Sequence, residues 1–351
     1  IASAPQYPYN TWAKAATNLQ AAVDAAAVAA DLGAAGPTVW VSNGAYNIAW
    51  QISIARGVAV RSTAGPASAV IRRGSGNTRV ASLTHANALL DGFTLRDGEL
   101  CSISPAGWGG GVYMTGGMLT NCVVRDCILH GGDNYIETRG NGVLMTGGLI
   151  VDCVVSNNSE TLDQSYDIPM GGGIYISGGT VRRSVITKNR FNGPAAGSRQ
   201  AGAGICLMNG TVENCRITYN DAAGTYGQTG APWHWQHGGG GVWMQGGTLE
   251  SCLVMGNRFN GVAGSLNGGG GVCANAGRII NCTIVGNQTT DANQPGGGLS
   301  LRKHASSGVP EEQACSAIAQ NCIVVGNSSP VATSSNVFLS TNGSLSASYS
   351  C

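Results

Sequence analysis

Charge is what this sequence has least of. Lys, Arg, Asp and Glu make up 11% of its 351 residues, against a usual quarter, and nineteen basic residues offset eighteen acidic ones to leave a formal net charge of +1. So sparse and balanced a charge gives no electrostatic basis for nucleic acid or an anionic membrane surface as partner. Long apolar runs are missing too. None approaches the roughly 20 residues needed to span a bilayer, so no membrane insertion is expected of this segment. Although twelve cysteines are present, none forms a CxxC pair, which argues against a zinc ribbon. The 55 glycines follow no G-X-Y period, excluding collagen, and 43% hydrophobic residues exclude a disordered, solvated chain. The chain opens at Ile1 without the basic-then-apolar pattern of a signal peptide, as expected of a chain processed upstream.

What is there is a repeat. A glycine cluster followed by an apolar residue recurs as Gly109-Gly110-Gly111-Val112, Gly140-Asn141-Gly142-Val143, Gly171-Gly172-Gly173-Ile174, Gly202-Ala203-Gly204-Ile205, Gly239-Gly240-Gly241-Val242, Gly269-Gly270-Gly271-Val272 and Gly296-Gly297-Gly298-Leu299, in steps of 31, 31, 31, 37, 30 and 27 residues. Eleven residues after each of the first six clusters comes Cys122, Cys153, Ser184, Cys215, Cys252 or Cys282, and Cys322 follows the seventh after an insertion. Five residues later stands Asn158, Asn189, Asn220, Asn257, Asn287 or Asn327, with Cys127 in that slot of the first of these coils. Between the markers the pattern alternates: Arg216 must face water, which turns Cys215 and Ile217 inward, as Ile205 and Leu207 are.

Units of about 30 residues, too small to bury a core alone, describe a solenoid whose strands pair with their equivalents in the next coil at about 4.8 Å per step. The expected fold is an all-β solenoid, a right-handed parallel β-helix of about ten coils. Residues 1–37 form an entry segment with a capping α-helix, and residues 38–351 form the solenoid. The helix carries Leu19, Ala22, Val23, Ala26 and Ala30 on one face, with Thr17 or Asn18 to cap its start and Gly33 to end it. The Asn row is expected at a turn, bonded along the stack and adopting the left-handed conformation there. The inward Cys row should hold free thiols, because stacked rungs offer poor disulfide geometry. Disulfides are expected, if anywhere, among Cys101, Cys127, Cys206, Cys273, Cys315 and Cys351, with Cys101–Cys127 favoured. Val337-Phe338-Leu339 and the stretch to Cys351 read as another coil without a cap, and without Lys, Arg, Asp, Glu or Pro. Further chain or a neighbouring protomer is therefore expected to cover it.

The glycine clusters with an [IV]xxN turn, as in Ile186-Thr187-Lys188-Asn189 and Val324-Val325-Gly326-Asn327, resemble the repeats of bacterial surface β-helix proteins, including the polymorphic outer-membrane and autotransporter-passenger type. The NC pairs Asn121-Cys122, Asn214-Cys215, Asn281-Cys282 and Asn321-Cys322 are similar to those of large secreted β-helix repeat proteins of Planctomycetes and Verrucomicrobia. The opening Tyr9-Asn10-Thr11-Trp12-Ala13 through Leu19 to Ala26 looks like theirs as well. The resemblance implies an extracellular or cell-surface scaffold or adhesin, filament formation being one such role, with no agreed catalytic set.

Chemistry is expected in the insertions between each Asn turn and the next glycine cluster, which all emerge on one flank. Tyr166, Tyr175, Trp233, Trp235 and Trp243 would give flat apolar faces beside charged groups, suiting a groove for a polysaccharide or cell-surface glycan; alternatively, these rings only pack against neighbouring insertions. Three catalytic schemes can be named for the alternative, a polysaccharide-degrading enzyme. Asp163 and Asp167 could serve as acid and base on a glycosidic bond. Lys188 or Arg199 could abstract the proton α to a uronate carboxyl group, as in a lyase. His234 and His237 with Asp221 could hold a metal, but HxH and HExxH spacings are absent, so no metal site is expected. No cofactor is required: Asp163-x-x-x-Asp167 lacks the Gly and Glu of a calcium loop, leaving Ca2+ only as a neutralising ion beside a uronate.

Overall fold

The computed structural model describes residues 4–101, 108–130, 137–161, 168–192, 201–223, 238–260, 268–290, 295–302, 315–331 and 335–339. It is a parallel β-helix. Three ten-stranded sheets run the length of the stack, a seven-stranded sheet joins them from Glu99–Cys101 to Gln288–Thr289, and every pairing within them is parallel. The first sheet opens with Thr38–Val41, the second with Gly44–Ile48 and the third with Ile52–Ile54; the fourth begins at Glu99–Cys101. From the glycine cluster onward, a coil visits the third sheet (Val112–Met114), the first (Met118–Thr120), the second (Val123–Arg125) and the fourth (Ile128–His130).

Strands of three residues follow from the alternation, since each turns one or two side chains inward and the chain bends before a third is needed. Val112, Met114, Leu119, Cys122, Val124 and Cys127 of one coil are fully or almost fully buried, and Val143, Met145, Ile150, Cys153 and Val155 stack on them in the next. Each buried aliphatic side chain contributes on the order of 1.5–3 kcal/mol, and repetition makes the core one continuous column.

Two bends organise the coil. The first places the Cys row inside, where the Phe93 N–H points at Cys122 Sγ (3.4 Å), the Cys153 N–H at Ser184 Oγ (3.1 Å) and the Cys215 N–H at Cys252 Sγ (3.4 Å). The second places the Asn row inside. Asn220 Oδ1 accepts from the N–H of Asn189 (3.0 Å) and from its Nδ2 (3.0 Å), while Asn220 Nδ2 donates to Ile186 O and Asn257 Oδ1 (both 3.0 Å). The row runs on to Asn336, whose Oδ1 accepts from Asn327. The left-handed residue is not the ladder Asn but the one before it: Asn157, Lys188 and Tyr219 at φ 55°, 56° and 54°. The same holds before the Cys row, at Asn121, Asp152 and Asn214. The inward side chain needs extended backbone, so the reversal falls on its outward neighbour.

All eleven described cysteines are free. The favoured Cys101–Cys127 link is not formed, for a reason of register. Ile128 pairs with Glu99, which sets Cys127 opposite Gly98, roughly 10 Å along the strand from Cys101 and beyond the ~7 Å Cα limit for a bridge. Cys127 is buried in the Asn slot, Cys315 joins the main core, and Cys351 lies outside the described residues.

The α-helix Leu19–Asp31 covers the first coil, burying Leu19 and Val23; Asn18 Oδ1 caps its start by accepting from the Ala21 N–H, and Gly33 follows its end at φ 89°. Gln20 completes the closure. Its amide donates to Ser53 O (3.2 Å) and accepts from Ser53 N (2.8 Å), so a side chain takes the place of a neighbouring peptide on the free edge of the third sheet. At the other end, Val337–Leu339 pairs with Leu299–Leu301, and the remainder to Cys351 lies outside the described residues.

Candidate functional site

The bend into the fourth sheet carries an outward row that steps by about 4.8 Å per coil. Its left-handed positions are Asp97, Asp126, Asn157, Lys188, Tyr219, Gly256, Gly286 and Gly326. Gly has no Cβ to meet the following carbonyl and Asn and Asp offset that contact with local hydrogen bonds, whereas other residues carry its cost of roughly 1–2 kcal/mol. Lys188 and Tyr219 are thus the two anomalous members. Strained backbone persists where neighbouring structure holds it and is concentrated at functional positions.

Tyr219 is 55% exposed. Its ring lies against Gly256 of the next coil: a Cβ there would stand 2.6 Å from the ring Cε1 and 2.7 Å from Cδ1. The absent side chain at 256 is what seats the ring. Beside this platform, Arg190, Asp221 and Arg258 are in register on the fourth sheet. Arg258 grips Asp221 through two bonds, Nε to Oδ1 (2.9 Å) and an Nη to Oδ2 (2.7 Å), and the hydrogen bond raises the Arg258 pKa. Lys188 and Arg190 are exposed, two residues apart around the inward Asn189. A half-exposed aromatic face with fixed charges at regular spacing can stack a sugar ring and bind its polar groups.

Nearer the first coil, Glu99 accepts from Arg73 and lies 3.0 Å from His130 Nε2. A polar cleft of about 440 Å³ opens between Asn47, Arg72, Gly74 and Asp97. Its arginines are engaged by neighbouring residues, Arg72 by Asn47 Oδ1 (2.6 Å) and Arg73 by Asp97 O (2.8 Å).

The rings named from the sequence fare differently. Tyr175 and Trp243 do point away from the column, in register with Tyr113, Leu144, Cys206 and Cys273. They are not open faces, being only 5% and 1% exposed, in a second apolar cluster with Met170 and Ala201. The chain returning to each glycine cluster passes over them, with Arg139, Met170, Ala201 and Gly238 in successive coils. Arg139 stacks 4.3 Å from the Trp108 ring centroid and 5.1 Å from that of Tyr175. Buried under that returning chain, these aromatics are packed as a layer.

Tyr166, Trp233, Trp235, Asp163, Asp167, Arg199 and His234 lie outside the described residues, as does His237. Of the catalytic candidates, Lys188 alone is described, on the exposed bend. Asp221, considered as a metal ligand, is ion-paired instead. Among the described residues no three His, Cys, Asp or Glu side chains come together as a metal site. Glu160, Phe191 and Phe259 are buried beneath the fourth sheet, Glu160 accepting from Thr138 Oγ1 (3.1 Å).

Tyr219 was not legible as a site residue, though a signal existed: an aromatic in the slot before the ladder Asn, followed one coil on by Gly. Comparison with known proteins finds no matching family model, no matching curated protein and no matching solved structure.

Proposed function

We propose that this chain is a scaffold module of an extracellular or cell-surface protein, and that it binds glycan along the outward row from Lys188 to Arg258. One observation carries the reading. A tyrosine occupies a left-handed backbone position, is held there over a glycine that makes room for it, and keeps its ring half in water. A structural role would be served at lower cost by the Asn, Asp or Gly found elsewhere in the row. The rigid stack supports binding by fixing the spacing of the charged neighbours before a ligand arrives, so little ordering is lost on contact. The resemblance to bacterial surface β-helix proteins supports the location and adhesive character. No described helix is long and apolar enough to cross a membrane.

The test is a glycan panel read by calorimetry with the full chain and two variants. Tyr219→Gly removes the ring and relaxes the backbone; it should weaken binding by about 2 kcal/mol, or roughly 30-fold, without lowering the thermal midpoint. Gly256→Ala, which displaces the ring from its seat, should weaken binding as well. Unchanged affinity in both variants would refute the site. Release of reducing ends or unsaturated products from the panel would favour the enzyme instead.

A further inference from the structure

The charges around Tyr219 distinguish between classes of glycan. Both oxygens of Asp221 are taken by Arg258, so that pair carries no net charge. Arg190 stands on the other side of Asp221, one coil earlier. It is exposed and, among the described residues, ion-paired with no carboxylate; Lys188 is the same. The coil before them offers only the neutral Asn157 and Ser159 at the equivalent places, and the coil after them presents Tyr219. Two uncompensated cations therefore sit one step of about 4.8 Å from an exposed ring, on a chain whose net charge is only +1. The positive potential is local, which suits a ligand with an anion on each unit and a ring to stack, and disfavours a general polyanion that needs a broad basic field.

Resting on the glycan reading above, we infer that the row binds an acidic polysaccharide of uronate type, with carboxylates on Arg190 and Lys188 and a neighbouring sugar ring on Tyr219. The planar guanidinium of Arg190 can grip a carboxylate through two parallel hydrogen bonds, while Lys188 acts as a point charge.

The experiment titrates the full chain with oligogalacturonate and with its methyl ester, which differ only in charge, at low and high salt. The free acid should bind about tenfold more tightly at low salt, with the advantage shrinking as salt rises. Arg190→Gln combined with Lys188→Gln should abolish the advantage, weakening the acid by about tenfold more than the ester. Tyr219→Gly should weaken acid and ester by the same factor. Equal affinity of the native chain for acid and ester would overturn the inference while leaving glycan binding standing, and so would a preference that survives the double variant. Tighter binding of a sulfated galactan, or equal binding of a single-stranded oligonucleotide, would overturn the uronate assignment. Failure to bind acid, ester or any glycan of the panel would instead remove the glycan reading itself.

Discussion

Replacing Asn220 by Ala tests whether the Asn row holds the stack together. The side chain is fully buried and makes four hydrogen bonds, two to Asn189 and one each to Ile186 O and Asn257 Oδ1. Alanine leaves the Asn189 N–H facing a void with no acceptor, at about 1–3 kcal/mol. Asn189 Nδ2 keeps its bond to Val155 O (3.0 Å), and Asn257 Oδ1 still accepts from the N–H of residue 220 (2.9 Å), so these partners are only partly stranded. Adding the lost contacts of the amide gives a destabilisation of roughly 3–5 kcal/mol. Urea titration followed by circular dichroism measures it, and amide exchange in adjacent coils reports whether the damage is local, as expected of a repeat array. Asn214→Ala, on an exposed left-handed position without this network, should cost about 1 kcal/mol. A loss below 1 kcal/mol for Asn220→Ala, or one no larger than for Asn214→Ala, would show that the ladder only accompanies the packing.

Two further outcomes are expected. Gly241→Ala brings a Cβ to 2.7 Å from Gly271 O and 2.9 Å from Asn257 Nδ2; unyielding backbone and ladder atoms should make this cost more than about 3 kcal/mol, whereas Gly286→Ala, left-handed but in open space, should cost about 1 kcal/mol, and thermal melts in the opposite order would contradict the account. Burial pushes the Cys127 and Cys153 thiols up to about 12 and Cys273 to about 11. The native state then holds these protons after the unfolded chain has released them, so their contribution is complete below pH 9 and is lost as pH rises towards 11–12, at about 1.4 kcal/mol per pH unit for each thiol. Urea midpoints should fall across that window, and Cys153→Ser, which copies the Ser184 rung, should flatten the slope; a midpoint that stays level to pH 11 would refute the effect.

The coils were readable because three markers kept register and the residues between them alternated. Cys215 and Ile217 had to face inward once Arg216 faced water, and the same logic extended to every repeat. The helix and its Asn18 cap were local signals of the same kind. Tyr175 and Trp243, read as open faces for a sugar, do point away from the column, but outward there means a second buried layer. That layer depends on where Arg139, Met170 and Ala201 return, a non-local fact that no periodicity in the strand contains. The Cys101–Cys127 pairing failed because consecutive coils were known while the offset along the strand was not. Tyr219 is hidden beside the repeating Asn, since a periodic mark identifies a slot without giving the backbone conformation of its neighbour.

The left-handed row has a consequence for how such a protein can change. Each of its members points outward, contributes nothing to the column, and charges the fold a backbone cost that depends little on which side chain is carried beyond Gly, Asn or Asp. Asp126, Asn157, Lys188, Tyr219 and Gly256 already show acid, amide, base, ring and nothing in consecutive coils. The edge of the solenoid is therefore a line of text rewritten in words that span adjoining coils, as Tyr219 with Gly256 and Asn157 with Asp126 show, while the inward ladders hold the page still, so recognition can diverge between copies of this architecture whose interiors remain interchangeable.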